Sequence, residues 1–337
     1  MLDLIVNYTP TGMIPTKSMT PHVPVRVREI VEDVHQAVEL GITMVHLHAR
    51  DERHETPTHQ AEIYGRIIEG IRAFAPELVI CVSLSGRNVT EFEKRAEPLE
   101  LDLAQKPDMG SLTLSSLNFA RSASINAPET VQALAARMLE RGIVPELEIF
   151  DLGMVQIAHY LVRKGLLVPP HYANILLGNI AGAQADPLHA GLIVRDLPAD
   201  TLWSLAGIGD AQLPMNALAI AMGGGVRIGL EDNIWHDPWR TRLATNHSLV
   251  QRVHALAAIH QRAVMPPSEL RQRLNLAPGF GAYGRRPRFG WWTTPRQRRD
   301  ESQRPHQDVQ PRAIRRDDAR ERPDAAHRVR VGDRRQR

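Results

Sequence analysis

Between Leu4 and Arg262 the chain repeats one pattern eight times: a short run rich in apolar and β-branched residues, then an amphipathic stretch. This repetition is the sequence sign of βα units, because two parallel strands need a crossover and a helix supplies it. The predicted strands are Leu4–Asn7, Met44–His48, Leu78–Ser83, Met109–Leu114, Glu146–Phe150, Ala173–Leu177, Leu202–Leu205 and Val226–Gly229. The helical stretches are Arg26–Leu40, His59–Phe74, Val89–Leu99, Pro128–Glu140, Gln156–Lys164, Leu188–Val194, Gln212–Ala221 and a long helix near Arg240–Arg262. In the first of these Val27, Ile30, Val31, Val34 and Val38 recur at helical spacing, and Gly41 ends it. Eight parallel strands close into an α/β barrel, the (β/α)8 or TIM barrel, with no free edge. An open doubly wound sheet is the alternative, but no Gly-rich dinucleotide fingerprint follows the first strand.

A chain of 337 residues suits one such barrel. Its formal charge of +3 hides an uneven split. Residues 277–337 hold 17 Arg and 8 Asp+Glu, whereas residues 1–276 hold 24 Lys+Arg and 30 Asp+Glu. A nucleic-acid reading of the basic charge therefore applies to the tail alone. We expect a catalytic barrel over residues 1–276 and a basic, disordered tail over 277–337, since apolar periodicity stops near Asn275. Three origins compete for the tail: an arm for an anionic partner, a solvated tail without function, and out-of-frame translation of a GC-rich gene end. The abrupt loss of pattern favours the last two. No apolar run approaches the roughly 20 residues of a membrane span, and the start Met-Leu-Asp-Leu-Ile-Val does not read as a signal peptide. Cys81 is the one cysteine. We expect a cytoplasmic protein with no intrachain disulfide, acting on neither membrane nor nucleic acid.

Working residues of a (β/α)8 barrel sit at the C-terminal ends of strands and in the loops after them. His46-Leu47-His48-Ala49-Arg50-Asp51 ends the second strand. Side chains alternate along a strand, so His46 and His48 share one side, and two imidazoles so placed can bind one Zn²⁺ or similar ion. The alternative is two core histidines with Arg50–Asp51 as a surface ion pair. The eighth strand runs into Arg227-Ile228-Gly229-Leu230-Glu231-Asp232-Asn233. Glu231 can complete a His₂Glu set, Arg227 can hold a carboxylate by a bidentate bond, and Asp232 lies within reach of general-base work. The alternative is a Gly-rich turn with an acidic helix start. The loop carrying Gly207 and Gly209 can take an anion at a helix start, or be a tight turn with Asp210 as N-cap. Ser83, Ser85 and Arg87 come after strand three, Ser111 and Thr113 belong to strand four, and Glu146, Glu148 and Asp151 to strand five. Each of these clusters alone also fits caps and solvated turns.

Taken together, His46–Asp51, the run Lys106-Pro107-Asp108-Met109 with Ser111-Leu112-Thr113, and Val226–Asn233 resemble the β-keto acid cleavage enzymes over roughly residues 1–275. The resemblance implies a (β/α)8 barrel with one Zn²⁺ held by His46, His48 and Glu231. It implies that a β-keto acid and acetyl-CoA give acetoacetate and a new acyl-CoA. Carried over by position, Arg227 binds the carboxylate and Asp232 abstracts the proton. Ser83 or Ser85, and Ser111 or Thr113, match the family's substrate hydroxyls. A homo-oligomer, a tetramer, is also expected. Two departures stand out. Gly12-Met13-Ile14-Pro15 carries no carboxylate where the founding member meets a substrate amine, and Arg87 adds a positive charge where paired glycines are frequent. The rival reading is another metal-dependent barrel lyase, aldolase or hydrolase acting on a carboxylate.

Overall fold

The computed structural model describes residues 2–286. Eight strands close a parallel barrel: β1 (Val6–Tyr8), β2 (Met44–Leu47), β3 (Val79–Val82), β4 (Met109–Thr113), β5 (Val144–Ile149), β6 (His171–Leu177), β7 (Thr201–Gly207) and β8 (Gly225–Ile228). They succeed one another in chain order, and β8 closes on β1 with Val6 opposite Val226 and Tyr8 opposite Ile228. Around them lie α1 (Val27–Leu40), α2 (Ala61–Arg72), α3 (Phe92–Ala96), α4 (Pro128–Arg141), α5 (Leu152–Arg163), α6 (Pro187–Asp196), α7 (Gln212–Met222) and α8 (Asn246–Ile259). Among the described residues no helix is long and apolar enough to cross a membrane.

Strand alternation sorts the side chains into two cores. On β2, Val45 and Leu47 pack outward beneath the helices, while Met44 joins Val79, Cys81, Met109, Val144 and Tyr172 inside the barrel. A further helix, α9 (Pro267–Arg273), closes the N-terminal end of that interior with Leu270 and Leu274. One step along the strands the inward positions turn polar: Asn7, His46, Ser111, Glu146, Asn174, Ser204 and Arg227 are all buried. A buried polar group without a partner costs about 1–3 kcal/mol, so such a layer persists only where its members satisfy one another or a ligand.

The elements differ from expectation at local caps. The fifth helix starts at Leu152 rather than Gln156, because Asp151 accepts a hydrogen bond from the Met154 amide and caps it. The stretch Val89–Leu99 holds only the short α3 and a 3-10 turn, Glu97–Glu100. The last barrel helix begins at Asn246 instead of near Arg240: Thr245 and Ser248 form its capping box, and Asp237 accepts from the amides of Trp239, Thr241 and Arg242 to hold a loop before it. A two-stranded ribbon, Leu117–Asn118 with Ala123–Ser124, stands after β4.

The boundary expected at residue 276 falls inside the packed unit. Ala277 donates its amide to the Arg285 carbonyl, Tyr283 is buried, and the Arg72 guanidinium stacks 3.7 Å from the Tyr283 ring centre. The expectation of disorder thus fails for residues 277–286, and the rest of that expectation, 287–337, lies outside the described residues.

Candidate active site

His46 points inward from β2, and His48 stands just beyond it at the mouth of the barrel. Their Nε2 atoms lie 3.2 Å apart, and His48 Nε2 lies 3.1 Å from Glu231 Oε1. Glu231 arrives from the turn after β8, next to β1. Gly12 permits this closeness: it sits at φ +65°, and a Cβ there would meet Glu231 Cγ at 2.4 Å. The three side chains thus meet from β2 and β8, the two neighbours of β1.

This donor set fits a metal ion. His46 Nδ1 lies 2.5 Å from Glu146 Oε2 and can donate there; burial alone would lower this imidazole, but Glu146 and Glu231 together raise it, so an ion at Nε2 would displace a proton while Nδ1 keeps its bond to Glu146. Burial pushes His48 down to about 4, against the pull of Glu231, which keeps that ring neutral. Glu231 Oε2 is buried with no partner. Bonds of about 2.0–2.1 Å to a tetrahedral ion put neighbouring donors about 3.3 Å apart, close to the spacings found here. Glu231 is held well below the usual carboxylate range: burial alone would raise it, and Arg227, His48 and His46 together outweigh that.

Arg227 lies beside this cluster. Its Nη2 is 2.6 Å from Glu231 Oε1 and its Nε 2.9 Å from Asp232 Oδ2, while its Nη1 is buried and unpaired. Burial pushes Asp232 up, and the Glu231 charge adds to this against the pull of Arg227. A more basic carboxylate beside a guanidinium with a spare donor can take a proton from an acid whose carboxylate that guanidinium holds.

A cleft opens over these residues. Ser83, Ser85, Arg87, Thr113, Glu148, Arg227, Glu231 and Asp232 line it with His48, and Met13, Ile14, Phe119, Phe150 and Ile208 supply apolar wall. Thr113 donates to Glu148 Oε2 at 2.5 Å, and burial raises the Glu148 carboxyl. Ser111 does not line the cleft; its hydroxyl accepts from the Leu84 amide at 3.0 Å.

Gly207 and Gly209 do not line it either. The Gly209 amide donates to the Asp232 carbonyl at 2.8 Å, and a Cβ at Gly207 would meet the Ala211 carbonyl at 2.1 Å, so this loop is a close turn, one of its two readings, and it holds the backbone at Asp232. Asp210 pairs with Arg240 instead of capping a helix. The Arg50–Asp51 surface pair of the alternative reading does not form. Arg50 is buried and donates to the carbonyls of Gly12, Glu55 and Pro15, pinning the loop after β1, while Asp51 accepts from the amides of Arg53 and His54.

Sequence reasoning left Glu146 and Glu148 without roles. Glu146 is saturated: Oε1 accepts from Asn7 at 2.7 Å and Asn174 at 3.3 Å, and Oε2 faces His46 and the Cys81 thiol, the latter at 3.3 Å. The available signal was the alternation Val-Pro-Glu-Leu-Glu-Ile, which sends both carboxylates into a barrel interior.

Comparisons with known proteins agree with this geometry. Residues 3–276 match the family described as beta-keto acid cleavage enzyme. The chain is 35% identical over 279 residues to a 3-keto-5-aminohexanoate cleavage enzyme of Fusobacterium nucleatum subsp. nucleatum, covering 82% of this chain and 99% of that one. It is also 35% identical over 286 residues to a 3-oxoadipate:acetyl-CoA acetyltransferase of Cupriavidus necator, covering 84% and 98%. The solved structure of ObcA without ligand superposes with a TM-score of 0.68 at 19% identity, over 77% of this chain and 66% of that one, a likeness of fold alone. The fold, the mouth-side His–His–Glu cluster and the match over residues 3–276 lead to one placement: this chain belongs to the β-keto acid cleavage enzyme family.

Proposed function

We propose that the chain is an acetyl-CoA-dependent acyltransferase that converts a β-keto acid and acetyl-CoA to acetoacetate and a new acyl-CoA, with one Zn²⁺ held by His46, His48 and Glu231. The observation that carries the reading is that two members of this donor set, His48 and Glu231, line one cleft with the Arg227–Asp232 pair, and His46 lies directly beneath His48. Relatives named for transfer between a β-keto acid and acetyl-CoA support the co-substrate.

When bound, the ion would supply Lewis-acid polarisation of the keto group. The chain does the rest. Arg227 offers its unpaired Nη1 to the substrate carboxylate, which fixes the acid by its reactive end. Asp232, on the same guanidinium, takes the proton from the carbon between the two carbonyls. Ser83, Ser85 and Thr113 present hydroxyls along the cleft wall. Overall, the acid gives up its acyl group to CoA, and its two-carbon carboxymethyl part ends in acetoacetate joined to the acetyl group. Holding two reactants in one mouth can supply about 7–11 kcal/mol through proximity.

We also read the protein as cytoplasmic and as a homotetramer, the first on its single buried free cysteine and the second on the family resemblance. The test is a panel of β-keto acids with and without acetyl-CoA, with acetoacetate and acyl-CoA tracked by mass spectrometry and metal content by elemental analysis. Acetyl-CoA-dependent acetoacetate with one zinc per chain is expected. Turnover that ignores acetyl-CoA would replace this reading with a lyase or hydrolase.

A further inference from the structure

Most buried arginines of the barrel spend their donors on the protein. Arg95 donates to Leu84, Ile125 and Asn126, and Arg50, Arg262 and Arg271 are committed in the same way. Arg87 differs. It lines the cleft, its Nε is buried with no partner, and among the described residues no carboxylate oxygen lies within 4.0 Å of its guanidinium. Its backbone amide is the group that bonds locally, to Ser85 Oγ at 3.3 Å.

The guanidinium is nevertheless held in place. Its Cζ stands 3.4 Å from the Phe119 ring centre, and Phe119 in turn packs edge-on against Phe150 with ring centres 5.8 Å apart. Stacking occupies the face of a guanidinium and leaves the in-plane N–H groups free for a planar, two-oxygen acceptor. Leu117, Phe119, Phe150, Leu176 and Ile208 line the same cleft and suit a methylene spacer. The loop after β1 places Met13 and Ile14 in the lining and has no carboxylate between Gly12 and Pro15 to receive a cationic group.

We propose that Arg87 binds a second carboxylate at the far end of the substrate, so that this cleft selects β-keto dicarboxylic acids. The inference rests on the activity proposed above, with Arg227 taking the carboxylate next to the keto group and Arg87 the remote one. The Phe119–Phe150 shelf fixes the guanidinium before substrate arrives, which lowers the ordering cost of binding.

The test uses the full-length metal-loaded protein and three acids of equal chain length: 3-oxohexanedioate, its 6-methyl ester, and 5-amino-3-oxohexanoate. Wild type should favour the diacid over the ester by at least about 10-fold in kcat/KM, the scale of one charge-assisted hydrogen bond. Arg87→Gln should collapse that ratio, and Arg87→Lys should restore part of it. A ratio unchanged in Arg87→Gln, or a wild-type preference for the ester or the amino acid, overturns the proposal. So does a rise in the KM for acetyl-CoA common to all three acids, which would assign Arg87 to a CoA phosphate. Calorimetric binding of diacid and ester without acetyl-CoA separates the two layers. If no acid yields acetoacetate, the activity falls, while diacid binding that is tighter in wild type but not in Arg87→Gln still supports the subsite. Equal binding in both proteins overturns it.

Discussion

Glu146 Oε2 lies 2.5 Å from His46 Nδ1, linking β5 to β2 inside the barrel between residues 100 apart in sequence. The carboxylate thereby fixes which nitrogen of His46 faces His48 and Glu231. An outer carboxylate of this kind also raises ligand basicity, and losing it costs typically about 10–100-fold in metal affinity. Glu146→Gln should therefore keep the fold and weaken zinc retention by about that factor, read by competition with a chromogenic chelator. Unchanged affinity would show that His46 is oriented by packing alone.

Asp232 and Glu231 are adjacent in sequence and bound to one arginine, yet the proposed roles differ. Asp232→Asn should leave one metal per chain and lower kcat by about 10²–10⁴, the usual contribution of a positioned base. Loss of metal together with turnover would instead make Asp232 part of the ion's support. The pairing with Arg227 also predicts that Arg227→Lys is not conservative: a point charge replaces a fork that spans Glu231 and Asp232, and KM for the acid should rise.

At the opposite end of the barrel, Asp108 is buried between Arg72 and Arg271, with oxygens 2.7 and 2.9 Å from them. Burial alone would raise its carboxyl, and the two guanidiniums hold it below the ordinary range. A depressed folded-state value contributes stability in full above the unfolded value of about 3.9, and this is lost as pH falls through the folded value. Asp108→Asn should cost about 3–5 kcal/mol near pH 7, because two buried cations lose their counter-charge. The difference from wild type in denaturant melts should narrow below about pH 4. A gap that stays constant between pH 7 and pH 3 would contradict the ion-pair account.

Much of the barrel is written locally in the sequence. The eight strands show because each is a short apolar run, and His46 and His48 show because alternation puts residues two apart on one side. Glu146 does not, since its meaning lies in Asn7, His46 and Asn174, and only the closed barrel brings those together. Asp108 stands in the motif that carries the family resemblance, yet it lies at the end away from the chemistry, where it binds Arg72 and Arg271. Apolar periodicity puts the start of α8 too early because Asp237 binds the amides that a helix would have used, a competition that periodicity does not register.

The same limit applies to residues 277–286, which have no periodicity but do have partners. Tyr283 is buried against Arg72, the Gly284 amide donates to Asp108 Oδ1 at 3.3 Å, and Arg271 Nη1 donates to the Ala277 carbonyl at 3.0 Å. Burying a large side chain stabilises by about 1.5–3 kcal/mol, and a guanidinium on its ring adds about 0.5–2 kcal/mol. Two truncations separate this segment from residues 287–337. A chain ending at Arg286 should keep the melting temperature and turnover of the full chain, consistent with a catalytic unit that needs nothing beyond it. A chain ending at Leu276 should melt several degrees lower, since about 1 kcal/mol shifts the midpoint of a large domain by about 2–4 °C. Its metal content should be retained, because the lost contacts lie at the N-terminal end of the barrel and the ligands at its mouth. Equal melting of the two truncated chains would show that the Tyr283 contacts contribute nothing, and loss of metal from the shorter one would show that the two ends of the barrel are coupled.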